Sequence, residues 1–171
     1  GLTANTRYYV RAYATNSAGT GYGNVTSFTT KKNVIYGSFT DSRDGYVYKT
    51  VKIGNQVWMA ENLRYLPSVV GPETVSDETP YYYVYDYNGT NVSEAKATAN
   101  YKTYGVLYNW HAAVEACPPG WHLPTTTEWY ELIEYLGGED VAVACKKMKY
   151  TDFWADIDGE SGNGTNESGF S

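Results

Sequence analysis

Apolar and polar positions alternate through the first thirty residues as they do in an antiparallel sheet, with Tyr8, Val10, Ala12 and Ala14 on one side and Tyr9, Arg11 and Tyr13 on the other. Asn16-Ser17-Ala18-Gly19 has turn composition, and Val25 to Thr30 reads as the returning strand. Such a hairpin is marginal in water by itself. After the polar Lys31-Lys32-Asn33, an apolar stretch opens at Val34-Ile35-Tyr36. Asp41 to Gly45 is a turn by composition. Tyr46 to Ile53 alternates again, Val47, Lys49, Val51 and Ile53 being offset from Tyr46, Tyr48, Thr50 and Lys52. Gly54-Asn55 reverses the chain and Gln56 to Met59 pairs back, so residues 39–59 are predicted to form a hairpin in which Trp58 carries the largest apolar area. Leu66 to Pro80, with three prolines among small and acidic residues, is predicted to be loop.

Strand periodicity over Tyr81 to Tyr87 puts Tyr81, Tyr83, Tyr85 and Tyr87 on one face and Tyr82, Val84 and Asp86 on the other, a tyrosine ladder ended by the turn Asn88-Gly89-Thr90-Asn91. Residues 92–103 are polar and alanine-rich, without a strong period. Tyr104 to Trp110 is predicted to be a short strand running into a helix over Trp110 to Ala116. Thr125-Thr126-Thr127-Glu128 behind Pro124 is a capping box, and Trp129, Leu132, Ile133 and Leu136 follow at the spacing of one helical face until Gly137-Gly138. A second helix is predicted within 139–149, with Val141, Ala144, Cys145 and Met148 on one face. The last twenty residues, rich in Gly, Asn, Asp and Ser, are predicted to be loop.

The chain has 171 residues, room for one domain or for one domain and part of another. Only 19% of residues are charged and 16% are aromatic, with 19 tyrosines and 17 glycines, which excludes a disordered tail, a coiled coil or a collagen-like repeat. A net charge of −6, with no basic cluster longer than Lys146-Lys147, excludes a nucleic-acid groove and disfavours an anionic membrane surface. No run of apolar residues is long enough to span a membrane. Cys117 and Cys145 are too few for a disulfide scaffold and lack zinc spacing; either they pair with each other or each has lost its partner.

Leu2-Thr3, Thr6, Tyr8, Val10-Arg11-Ala12, Ala14, Asn16 and Gly19 resemble the closing strands of a fibronectin type III module, with Tyr8 at its tyrosine-corner position. The resemblance implies that Gly1 is an internal break in a longer protein. From about residue 37 the chain resembles the Fibrobacter succinogenes major paralogous domain of secreted and surface proteins in the Bacteroidetes and Fibrobacter groups. The likeness rests on Phe39-Thr40-Asp41-x-Arg43-Asp44-Gly45, on Tyr48-x-x-Val51-x-Ile53-Gly54-x-Gln56-x-Trp58-Met59-Ala60-Glu61-Asn62-Leu63 and on Tyr104-Gly105-x-Leu107-Tyr108-Asn109-Trp110. Two later blocks continue it, Cys117-Pro118-x-Gly120-Trp121-His122-Leu123-Pro124-Thr125-x-x-Glu128-Trp129 and Asn166-Glu167-Ser168-Gly169-Phe170-Ser171.

These resemblances imply an α+β architecture: a C-type-lectin-like domain with small antiparallel sheets and two helices, behind an N-terminal β-hairpin remnant of a β-sandwich. The implied division is residues 1–30 for the fibronectin-like strands, 31–36 for a linker and 37–171 for the lectin-like domain. That domain would stop short of its late strands, leaving Cys117 without its usual partner. The implied location is extracellular or at the outer-membrane surface, as part of a secreted protein or lipoprotein. The Trp121 to Trp129 block also resembles formylglycine-generating, sulfatase-modifying enzymes, a likeness that carries fold and not chemistry.

His111 and His122 are the candidate general bases, and for both a structural role outweighs catalysis, His122 holding its turn by a hydrogen bond. No nucleophile elbow or phosphate loop is present. Glu61 and Asn62 are read as capping a turn or helix start. Asp156, Asp158 and Glu160 have oxygens at alternate positions beside Gly159, a partial calcium-loop pattern against which the solvated-loop reading is preferred; no other metal or cofactor is implied. Tyr81, Tyr83, Tyr85, Tyr87 and Trp154 are the candidate recognition surface, because aromatic rings stack on sugars and supply rigid contact area. Packing of alternate tyrosines across a sheet is the weightier competing reading. The expectation is a non-enzymatic adhesion module that binds glycan or, next, protein. The alternatives are a structural spacer and an enzyme related to the formylglycine-generating type.

Overall fold

The computed structural model describes residues 1–30, 34–156, 158–159 and 161–171. It divides into two units, Gly1–Val34 and Ile35–Ser171. Lys31, Lys32 and Asn33 of the proposed linker lie outside the described residues.

The first unit is a two-stranded antiparallel ribbon. β1 (Arg7–Val10) pairs with β4 (Thr26–Thr29), and β2 (Tyr13–Asn16) pairs with β3 (Gly19–Tyr22) across the predicted turn. Three residue steps from Tyr13 back to Val10 oppose four from Tyr22 to Thr26, so the ribbon carries a bulge, where the Gly23 amide donates to the Ala12 carbonyl at 2.9 Å. Cross-strand aromatic pairs brace it: Tyr8 stacks on Phe28 at 5.9 Å, and Arg11 lies 3.8 Å from the Tyr22 ring centre.

The second unit mixes helices with small antiparallel sheets, and no barrel is formed among the described residues. β5 (Ile35–Thr40), β6 (Val47–Ile53) and β7 (Gln56–Met59) form a three-stranded sheet in that order. The predicted reversal at Gly54-Asn55 is present, with Ile53 opposite Gln56 and Gly54 at φ +61°, a left-handed conformation that costs glycine nothing. β6 is covered on both faces. Tyr48 and Thr50 are buried on one and Val51 and Ile53 on the other, while Val47 and Lys49 reach solvent.

Five helices are present among the described residues, not two: α1 (Val92–Ala97), α2 (Ala99–Tyr104), α3 (Trp110–Ala116), α4 (Thr126–Gly137) and α5 (Val141–Met148). The segment without a period is the source of α1 and α2. Each is only six residues long and is started by a side chain: Asn91 Oδ1 accepts from the Ser93 and Glu94 amides, and Thr98 Oγ1 from the Tyr101 amide. α4 has the predicted capping box, with Thr125 and Glu128 exchanging side-chain and backbone hydrogen bonds, and Gly138 caps its end. Gly137 meets Ala144 where α4 approaches α5. A Cβ placed there would fall 2.7 Å from the Ala144 nitrogen.

One cluster of buried residues gathers Leu66, Val69, Tyr82, Val84, Ala95, Val106, Ala112 and Ala116. The proline-rich loop thus has no regular structure yet contributes two core side chains. Tyrosine hydroxyls secure its approach: the Arg64 amide donates to Tyr48 Oη, Tyr101 Oη donates to the Arg64 carbonyl and Tyr108 Oη donates to the Tyr65 carbonyl, each at 2.9 Å. Elsewhere Trp58 packs on Trp129 at 4.9 Å and on Phe170 at 5.5 Å, seating α4 and the C-terminal loop on β7. Gln56 Nε2 reinforces that seat by donating to the Glu128 carbonyl and to Glu131.

Candidate functional site

The predicted strand over residues 81–87 is shorter than its sequence pattern. Only β8 (Tyr82–Tyr83) pairs, with β9 (Leu107–Tyr108), and the buried face is that of Tyr82 and Val84. The Tyr87 amide then donates to the Val84 carbonyl at 3.1 Å, and Asp86 adopts φ +58°. That tight turn ends the period, so the four tyrosines do not form a ladder on one strand face. Tyr81 and Tyr83 remain neighbours, edge to face at 6.5 Å, whereas Tyr85 meets Tyr104 at 6.1 Å.

The turn builds a concave feature in place of a flat face. Tyr83, Tyr85 and Tyr87 line a surface depression of about 420 Å³ together with Asp86, Asn88 and Leu107. Tyr81 and Trp154 lie outside it. Two of the three rings are fixed through their hydroxyls: Tyr83 Oη donates to the Thr74 carbonyl at 2.7 Å, and Tyr87 Oη to the Asn91 carbonyl at 3.0 Å and Glu94 Oε2 at 3.1 Å. Desolvation, joined by donation to Glu94, raises the Tyr87 pKa, so this hydroxyl stays protonated. Tyr85 is 61% exposed and its hydroxyl has no hydrogen-bond partner among the described residues, although Asn100 Nδ2 fixes its carbonyl at 3.0 Å.

Asn109 positions the strand behind the depression. Its Oδ1 accepts from the Tyr81 amide and from the Ala112 amide, capping α3, while its Nδ2 donates to the Ser76 and Thr79 carbonyls. Sequence reasoning placed Asn109 in a motif without assigning it this role. Asp86 and Asn88 enter the sequence reading only as the far strand face and the start of the closing turn; the signal for a site is a turn-forming Asp-x-Asn inside a run of aromatics.

Trp154 belongs to a separate group, where Lys149 Nζ sits 4.7 Å from its ring centre and Tyr150 stacks on Phe153 at 6.1 Å. Of the calcium candidates, Asp156 and Asp158 are exposed, and Glu160, like the intervening Ile157, lies outside the described residues. No group of three His, Cys, Asp or Glu side chains suited to a metal converges among the described residues.

His122 Nε2 is 2.7 Å from Glu128 Oε1, tying the preceding turn to the capping box. The Thr125 amide, His122 and the Thr125 hydroxyl together hold the Glu128 carboxyl at about 2. His111 is exposed on α3. Both cysteines are free and half-buried, and burial pushes the Cys117 thiol up, away from the thiolate a nucleophile needs. Glu61 caps a strand: it accepts from the Lys49 amide at 2.7 Å and from Tyr46 Oη at 3.0 Å, while Asn62 Nδ2 donates to the Tyr104 carbonyl. No helix among the described residues is long and apolar enough to cross a membrane.

Residues 51–171 match the Fibrobacter succinogenes major domain, and the chain belongs to that family. No curated protein and no solved structure matches the chain.

Proposed function

We propose that this member of the Fibrobacter succinogenes major domain family is a non-enzymatic ligand-binding module of a secreted or cell-surface protein, with glycan as the ligand. The observation that carries the reading is the depression walled by Tyr83, Tyr85 and Tyr87, in which two rings are fixed by internal hydrogen bonds and the Tyr85 ring is exposed. Fixed aromatic walls lose little entropy on binding and present faces that stack on the apolar side of a sugar ring. Protein is the next ligand class. Catalysis has no comparable support, because His122 is bound to Glu128 and the Cys117 thiol is pushed up.

A C-type-lectin-like fold fits the small antiparallel sheets flanked by helices. A fibronectin type III origin for the first unit is supported by Tyr8, whose hydroxyl accepts from the Thr3 amide at 2.7 Å, five residues upstream, as a tyrosine corner does. A structural spacer is the second reading. It is favoured by the tyrosines whose hydroxyls bind internal backbone, Tyr48, Tyr101 and Tyr108.

A glycan array probed with the protein and with Tyr85→Ala tests the proposal, folding of both being checked by near-ultraviolet circular dichroism. Binding by the parent that disappears in the folded variant supports it. Binding by neither favours the spacer.

A further inference from the structure

The depression is lined by one carboxylate residue, Asp86, and by no cationic one. Its three aromatic walls have two hydroxyl protons already committed, Tyr83 to the Thr74 carbonyl and Tyr87 to Asn91 and Glu94. What remains to meet a ligand is the Asp86 carboxylate, which only accepts, the Asn88 amide and the Tyr85 hydroxyl. No lysine or arginine lines the depression, and Asp86 makes no ion pair or hydrogen bond among the described residues. The Asp86 backbone is set by its φ of +58°, by the Val84 to Tyr87 turn and by Asn100 on the Tyr85 carbonyl. A neutral polyol would leave that carboxylate facing hydroxyls alone. A cation on a ring would meet both the carboxylate and the negative faces of the tyrosines.

Resting on the reading of this depression as a glycan site, we propose that it selects sugars bearing a free ammonium group, the aromatic walls packing on the ring and Asp86 facing the cation. An ammonium brings a positive charge and three donors to a lining that holds a carboxylate and no cation. The protein's net charge of −6 favours the approach of a cationic polymer over an anionic one.

The test is titration of the whole chain, followed by tyrosine and tryptophan fluorescence, with a glucosamine tetramer and with its fully N-acetylated form in mildly acidic, low-salt buffer. The free-amine tetramer is expected to bind about 3- to 30-fold more tightly, the scale of an exposed cation–π contact together with a surface ion pair. High salt should erase that preference. Asp86→Asn should shrink it to the cation–π share while retaining the weaker binding of the acetylated form; asparagine tolerates a left-handed backbone, so the turn is kept. Equal binding of the two tetramers, tighter binding of the acetylated one, or a preference untouched by Asp86→Asn overturns this inference and leaves the glycan reading standing. Binding of neither overturns both. Binding of a lysine-rich peptide alone, dependent on Asp86, overturns the sugar in favour of a protein ligand.

Discussion

Arg43 clasps Asp41: its Nε lies 2.9 Å from Oδ1 and its Nη2 2.6 Å from Oδ2, with the aspartate fully buried. The same guanidinium donates to the Ala116 carbonyl at 2.8 Å and lies 3.8 Å from the Tyr65 ring centre. The β5–β6 turn is thereby joined to the end of α3 and to Tyr65, just ahead of the proline-rich loop. The Asp-x-Arg of the sequence motif is an internal clamp rather than a ligand site.

Arg43 holds the Asp41 carboxyl below its ordinary range, through hydrogen bonds first. A depressed carboxylate contributes stability above its unfolded pKa of about 4 and loses it as pH falls through the folded value. Asp41→Ala leaves a partly buried guanidinium unpaired and should cost about 3 kcal/mol, read from urea unfolding. Urea midpoints that fall equally steeply below about pH 4 in parent and variant would deny the clamp that role.

Glycine-to-alanine changes usually stabilise a helix, and Gly137→Ala should do the opposite. The added methyl would stand 2.7 Å from the Ala144 nitrogen and 2.9 Å from its Cβ, so α4 and α5 must part. Overpacking of this kind costs roughly 1–3 kcal/mol. At about 2–4 °C of Tm per kcal/mol, scanning calorimetry resolves it, and a raised Tm would show that the helices separate freely.

The capping box makes a separate acid prediction. The Glu128 carboxyl, held at about 2 mainly by the Thr125 amide, should titrate far below the ordinary glutamate value in a carbon-detected NMR experiment. Its contribution is present above the unfolded pKa near 4.3 and disappears as pH falls toward about 2. Thr125→Ala should remove the N-cap at a cost of about 1 kcal/mol and raise the Glu128 midpoint only in part, because the amide of residue 125 and His122 still bind the carboxylate.

Burial pushes the Tyr48 hydroxyl up to about 12, and burial likewise raises Tyr108. Their neutral forms stabilise the fold fully below the unfolded pKa of about 10, and this contribution is lost as pH rises through the raised values. Absorbance at alkaline pH should therefore show a late phase coincident with unfolding. Tyr48→Phe should unfold at lower denaturant, because it strands the Arg64 amide at a cost of about 1–3 kcal/mol.

What could be read from sequence was whatever local chemistry decides. α4 was legible because Thr125, Glu128 and the Trp129 to Leu136 spacing agree, and the β6–β7 reversal because Gly54-Asn55 fits it. α1 and α2 were hidden because Asn91 and Thr98 start them and packing around Ala95 and Tyr101 keeps them, with no amphipathic run to see. The tyrosine segment misled in a specific way: alternation satisfied a strand of seven residues, but the buried side was Tyr82 and Val84, and the turn at Asp86 ended pairing after two. That same turn brought Tyr83, Tyr85 and Tyr87 into one depression with Asp86, which alternation alone could not reveal.

Assigning the backbone NMR spectrum and titrating a glycan that the protein binds tests the account most directly. Shifts concentrated at Tyr83 to Asn88 and Leu107 are expected. Perturbations confined to another surface, such as the exposed Tyr130 face of α4 or the Trp154 group, would contradict it.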